Sequence, residues 1–159
     1  MKLEIQKLIV SISFSDYAKN YKEAGDPQLC VWVNIPRAML QKRAALDMEY
    51  QRMMFDIDVA RAEFHKKLDD LQKQETEEKR KRIVSEYEGQ QDELQKKIEE
   101  YTQRNYEWFV EIWSQGPEGT TWTVAELFAL QENDHMLLGW MADRTRELLQ
   151  TRRVDQKKS

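Results

Sequence analysis

From Leu8 to Phe14 apolar and polar positions alternate: Leu8, Val10, Ile12 and Phe14 fall on one side, with Ser11 and Ser13 opposite. A period of two is that of a half-buried β-strand. Leu29-Cys30-Val31-Trp32-Val33 is β-branched and aromatic and predicts a second short strand. Between them lie Asp16, Asn20, Gly25, Asp26 and Pro27, which predict a connection with a helical turn around residues 17–24. Two strands alone are marginal. They need a helix packed on them, or strands from another chain.

Asn34-Ile35-Pro36 marks a change from strand to helix. Asn34 can cap a helix N-terminus, and Pro36 fits a first turn, where its missing N–H costs nothing. From there to Ser114 no proline follows, and Gly89 is the one glycine. Met39, Leu46, Met53 and Ala60 recur every seven residues, and so do Tyr50, Ile57, Phe64 and Leu71. Together they form one a/d seam. A second seam runs through Tyr87, Leu94, Tyr101 and Trp108, with Val84, Ile98 and Ile112 as companions. The two registers differ by one residue, and the slip lies within residues 72–82, which carry no apolar side chain. Either the chain folds back there as an antiparallel hairpin or it continues as one rod. The lost stripe favours the fold-back, and the absence of Gly and Pro favours continuous helix; the hairpin is the arrangement expected.

Gly116-Pro117-Glu118-Gly119 breaks the chain. Thr123-Val124-Ala125-Glu126 is a capping box that opens a short helix to about Gln131. Asn133-Asp134 offers the next cap, for a helix to about Arg153 with Leu137, Trp140, Met141 and Leu148 as its apolar surface. The fold class expected is therefore mainly α: a two-strand N-terminal element, a long antiparallel helical hairpin and two short C-terminal helices. As a single domain, 1–159, this divides into 1–34, 35–115, 120–153 and a flexible tail at 154–159.

Composition sharpens the picture in three places. Charged residues make up 34% of the 159, and the mean hydropathy is -0.84, which suits long helices with wide solvated faces better than a large compact core. The net charge of -4 argues against a dedicated nucleic-acid binder. The local exception, Lys79-Arg80-Lys81-Arg82, follows Glu77 and Glu78 and reads as a solvated helix face with pairs such as Glu77 to Lys81 and Glu78 to Arg82. A single cysteine, Cys30, excludes an internal disulfide and fits a reducing compartment. No run has the length of a membrane span, and the opening segment has no signal-peptide cleavage pattern. A cytoplasmic protein is expected.

Candidate chemistry is sparse, and neither catalytic, cofactor-binding nor metal residues are assigned. His65 and Asp69 stand one turn apart, and Glu132-x-x-His135 is a single Glu-x-x-His, where a di-iron bundle needs two. There is no phosphate loop, dinucleotide fingerprint or nucleophile elbow. Aromatic and methionine residues carry the positive signal. Trp108, Phe109 and Trp113 crowd the end of the second long helix, and Trp140 and Met141 follow after the break. One reading makes them a single core and another a partner surface. Met48, Met54 and Phe55 lie near or off the first seam. They imply burial on a second side, by the strands, a neighbouring subunit or a client, for which methionine is well suited. With Trp32, these residues are the candidate partner-binding set.

At Val31-Trp32-Val33-Asn34-Ile35-Pro36-Arg37, and again at Asp134-x-x-Leu137-x-x-Trp140-Met141-x-x-Arg144 with its basic end, the chain resembles tail assembly chaperones of long-tailed bacteriophages. The likeness covers these two short stretches. It implies a non-catalytic protein, in the host cell cytoplasm, that binds the long helical tape measure protein and keeps it soluble until the tail tube assembles. The function expected is protein binding of that kind, by a homo-oligomer without cofactor, nucleic acid or membrane. The alternative is a structural or regulatory coiled-coil adaptor in which residues 36–113 meet an identical subunit. A nucleic-acid binder using Lys79–Arg82 with Arg152, Arg153, Lys157 and Lys158, and an enzyme with a non-local site, rank third and fourth.

Overall fold

A computed structural model describes residues 6–71, 77–114 and 121–158, with 153–158 as backbone alone. Strands β1 (Ile9–Ser13) and β2 (Gln28–Trp32) pair antiparallel, Val10 opposite Val31 and Ile12 opposite Leu29. Helices follow: α1 (Asn20–Glu23) between the strands, α2 (Arg37–Asp69), α3 (Glu77–Trp113), α4 (Val124–Asn133) and α5 (His135–Lys158). The mainly helical class, the two-stranded element and the two long helices are thus as the patterning predicts. The chain folds as two compact units. One comprises residues 1–40 and 105–159, the other residues 41–104.

In the first unit the alternation of β1 sets its packing. Ile12 and Phe14 are buried with Leu29, Val31 and Val33, while Ser11 is exposed. The connection turns at Phe14–Asp16 in a 3-10 helix, runs through α1, and reverses at Gly25 (φ 93°) and Asp26 (φ 49°). Glycine meets that left-handed backbone without a Cβ clash, and Asp is among the residues that tolerate it. The Asp26 carboxylate accepts a short hydrogen bond from Ser13 Oγ, which with Ser15 holds it below the usual carboxylate range. Gln28 Nε2 donates to Ser13 Oγ at 3.1 Å, so the loop is tied to both strands.

Asn34 does not cap α2. Its Oδ1 accepts from Leu8 N (2.6 Å) and Trp32 Nε1 (2.8 Å), and its Nδ2 donates to Gln6 O (2.8 Å). Both lone pairs of that oxygen are taken, so the side chain has no acceptor left for the helix. Pro36 stands immediately before α2, and its carbonyl accepts from Met39 N at 3.0 Å.

Helix ends and aromatic rings complete this unit. Trp108 Nε1 donates to Met39 O (2.9 Å), joining the start of α2 to the end of α3. Phe14 meets Trp122 and Trp140, Trp113 meets Phe109 and Trp122, and Tyr106 meets Phe128 edge-on. Trp113 is fully buried. Its Nε1 donates to Thr145 Oγ1 (2.9 Å), which in turn donates to Met141 O (2.8 Å), so the buried hydroxyl is satisfied in both directions. Thr123 accepts from Glu126 N as the capping box predicts, and Asp134 Oδ1 accepts from Leu137 N at the start of α5. That helix continues to Lys158, past the expected end near Arg153 and through the segment read as a tail.

The second unit is a pair of helices, formed by α2 from residue 41 onward and most of α3. Tyr50 meets Tyr101 (5.7 Å between ring centres), and Phe64 stacks on Tyr87 at 4.1 Å and 14°. Moving forward from Tyr50 to Phe64 on α2 moves back from Tyr101 to Tyr87 on α3, by an equal number of residues. The helices are antiparallel, with the two seams facing. Of residues 72–82, where the fold-back was expected, 77–82 belong to α3 and 72–76 lie outside the described residues. The one-residue change of phase falls between two helices that each set their own register.

Candidate protein-binding face

Helix α2 is apolar on two sides within residues 41–69. Its seam carries buried Leu46 and Met53, with half-buried Ile57, Ala60 and Phe64 toward α3. The heptad phase counted back from Tyr50 reaches Arg43, which is also buried. Its guanidinium donates to Asp47 one turn on, from Nε at 3.0 Å and from a terminal nitrogen at 2.7 Å. A buried cation on an apolar seam is tolerated because its stem packs and its head is paired. The heptad phase alone, carried back from Tyr50, places Arg43 on the seam.

About half a turn away lies a second apolar stripe: Ala44, Met48, Phe55, Val59 and Ala62, with polar Gln51 among them. All are exposed; Met48 reaches 64%, Phe55 66% and Val59 37%. Two helix faces on opposite sides cannot both serve one antiparallel neighbour. Met54, at 40%, sits on the flank between the faces and not on the stripe. Asp58 borders the stripe on that flank, and Arg52, Asp56 and Glu63 border it on the other, all exposed. Carboxylates therefore outnumber cations along its edges.

The rest of the candidate set is placed differently. Trp108, Phe109, Trp113 and Met141 are all buried in the first unit, where they form its core and not a surface open to a partner. Spacing could not separate these alternatives, because both use the same apolar residues. Trp140 is half-buried and meets Tyr17 and Phe14 with tilted rings. Trp32 is half-buried under Lys7, whose ammonium lies 4.5 Å from the ring centre. Of the nine, Met48 and Phe55 are thus brought together on an exposed face, with Met54 beside them. Val59, Ala44 and Ala62 complete that face and were missed. Met136 on α5, also exposed, was missed as well. The period of four and three through Ala44, Met48, Phe55, Val59 and Ala62 was legible in the sequence as a second, offset stripe.

The electrostatics of the hairpin are those of a solvated frame. Arg104 donates to Glu49 from both terminal nitrogens, one at 2.8 Å. Those bonds hold the Glu49 carboxyl below its ordinary value and raise the Arg104 guanidinium, with burial opposing each. Lys79–Arg82 are exposed as expected. Among the described residues, however, no ion pair joins Glu77 to Lys81 or Glu78 to Arg82, as suits long side chains whose pairing in water gains little. Glu132 and His135 fall on different helices. Among the described residues no group of three His, Cys, Asp or Glu is placed to hold a metal ion, and no helix is long and apolar enough to cross a membrane. Set against protein-family models, curated proteins and solved structures, the chain matches none of them.

Proposed function

We propose that this chain is a non-enzymatic protein-binding protein that holds an amphipathic helical segment of a client on the outer stripe of α2. One observation carries the reading: Met48, Phe55 and Val59 stand exposed on a helix whose opposite face is already used against α3. Burying a side chain of that size is worth about 1.5–3 kcal/mol. A helix laid along the stripe would bury several at once, the helix-in-groove mode of recognition. Methionine adapts its shape to varied apolar surfaces, which suits a client whose stripe is irregular. The acidic borders at Asp56, Asp58 and Glu63 fit a client with basic residues beside its apolar stripe.

A protein of this kind keeps a long, aggregation-prone helix soluble until its own assembly partner arrives. With the likeness at Val31–Arg37 and Asp134–Arg144, the reading becomes a tail assembly chaperone acting on a tape measure protein in the host cytoplasm. The coiled-coil adaptor is the rival. Its seam residues are Leu46, Met53 and Phe64, which already face α3 inside one chain, so the free stripe favours the client.

Co-expression with the long helical tape measure candidate encoded nearby tests the proposal. The client should become soluble and co-purify with this chain, and Met48→Asp with Phe55→Asp should abolish both effects. A client that stays insoluble, or that is retained by the double variant, would overturn it.

A further inference from the structure

A second surface lies at the edge of β1 that faces away from β2. The paired register and the bonds Val33 N to Leu8 O and Phe14 N to Pro27 O fix which way the backbone points. In an antiparallel ladder, residues alternate between those bonded to the partner strand and those directed away. Leu8, Val10, Ile12 and Phe14 bond to β2. The N–H and C=O groups of Ile9, Ser11 and Ser13 are therefore directed to the other side, where the sheet of the described residues has no third strand. Ser11 is exposed. On β2 the corresponding residue, Cys30, is buried, so the two edges are not equivalent.

Proteins usually protect such an edge with Lys, Pro, a bulge or an inward charge. Between Leu8 and Ser15 there is none of these: the segment Leu-Ile-Val-Ser-Ile-Ser-Phe-Ser is uncharged and rich in β-branched residues. We propose that β1 pairs antiparallel with β1 of a second copy of this chain, about a two-fold axis at Ser11, to give a four-stranded sheet. The occupant follows from self-complementarity. A two-fold at Ser11 places its outward groups opposite the same groups of the partner's Ser11 and those of Ile9 opposite the partner's Ser13, and the uncharged strand meets its own copy without like-charge opposition. This inference stands on the sheet and is independent of the α2 stripe.

Sedimentation velocity across a concentration series, paired with amide exchange, tests it. The chain should sediment at twice its 19.1 kDa mass, with Ile9 and Ser11 amides gaining protection as dimer forms. Ser11→Lys, which sets two ammonium groups together at the axis, should return it to the chain mass with unchanged circular dichroism. Ser11→Pro removes a donor that β2 does not use and should do the same. Phe55→Asp should leave the dimer intact, so loss of client and loss of dimer are separable. A wild-type chain that is monomeric throughout, or a dimer that survives Ser11→Lys or dissociates with Phe55→Asp, would overturn the proposal.

Discussion

Thr145 shows how much a single side chain does in the first unit. Its hydroxyl accepts from the Trp113 indole and donates to Met141 O, and all three residues are fully buried. Thr145→Val keeps the shape and leaves the indole N–H without a partner, at a cost of about 1–3 kcal/mol. Urea denaturation should show that loss, and an unchanged midpoint would mean the indole bond contributes nothing. Glu49 makes a pH-dependent case. Its folded value lies below its unfolded one, chiefly through the hydrogen bonds from Arg104, so its contribution is present at neutral pH and lost as pH falls through the folded value. Both partners are substantially exposed, which limits the effect to about 0.5 kcal/mol and makes it salt-sensitive. Arg104→Ala should flatten the dependence of melting temperature on pH on the acid side of neutrality; an identical profile would contradict the assignment. At this scale the sequence was least legible. Asn34 has the residue type of a cap, yet its position two residues after Trp32 lets it bond both strands' ends instead. Only the folded register decides between these uses.

At the scale of elements the sequence is far more informative, because heptads and alternation report burial directly. Tyr50 with Tyr101 and Phe64 with Tyr87 are seam residues that meet as the periodicity predicts. Helix α3 keeps its phase through Val84, Tyr87, Gln91, Leu94, Ile98 and Tyr101, so Gln91 is a polar residue on the seam. Its Nε2 is buried without a hydrogen-bond partner. Such a group stabilises nothing, although a polar seam position can fix register. Gln91→Leu should raise stability by about 1 kcal/mol in a denaturant titration, and a lower midpoint would show that the amide has a favourable role. The opposite face of α2 was half legible. Met48 and Phe55 announced a second apolar side, but whether other parts of the chain would cover it depends on long-range packing that local spacing does not encode. The same ambiguity, resolved the other way, made Trp108, Phe109, Trp113 and Met141 core residues. Their bulk is what fills an interior, and crowding near the end of α3 was the clue that favoured it.

For the whole molecule, two compact units divide the labour: an aromatic core with a small sheet, and a charged helical pair bearing an apolar outer stripe. The proposed function rests on that stripe being available, and its test on the stripe's removal leaving the fold intact. Because Met48 and Phe55 are exposed, their replacement by Asp should change folding stability by no more than about 0.5 kcal/mol. The most direct measurement is therefore co-purification of the tape measure candidate with the wild-type chain and with the Met48→Asp, Phe55→Asp variant, at matched expression and with melting curves for both. The account predicts a soluble complex with the wild type, none with the variant, and superimposable melting curves. Equal recovery of the client with both chains would contradict it.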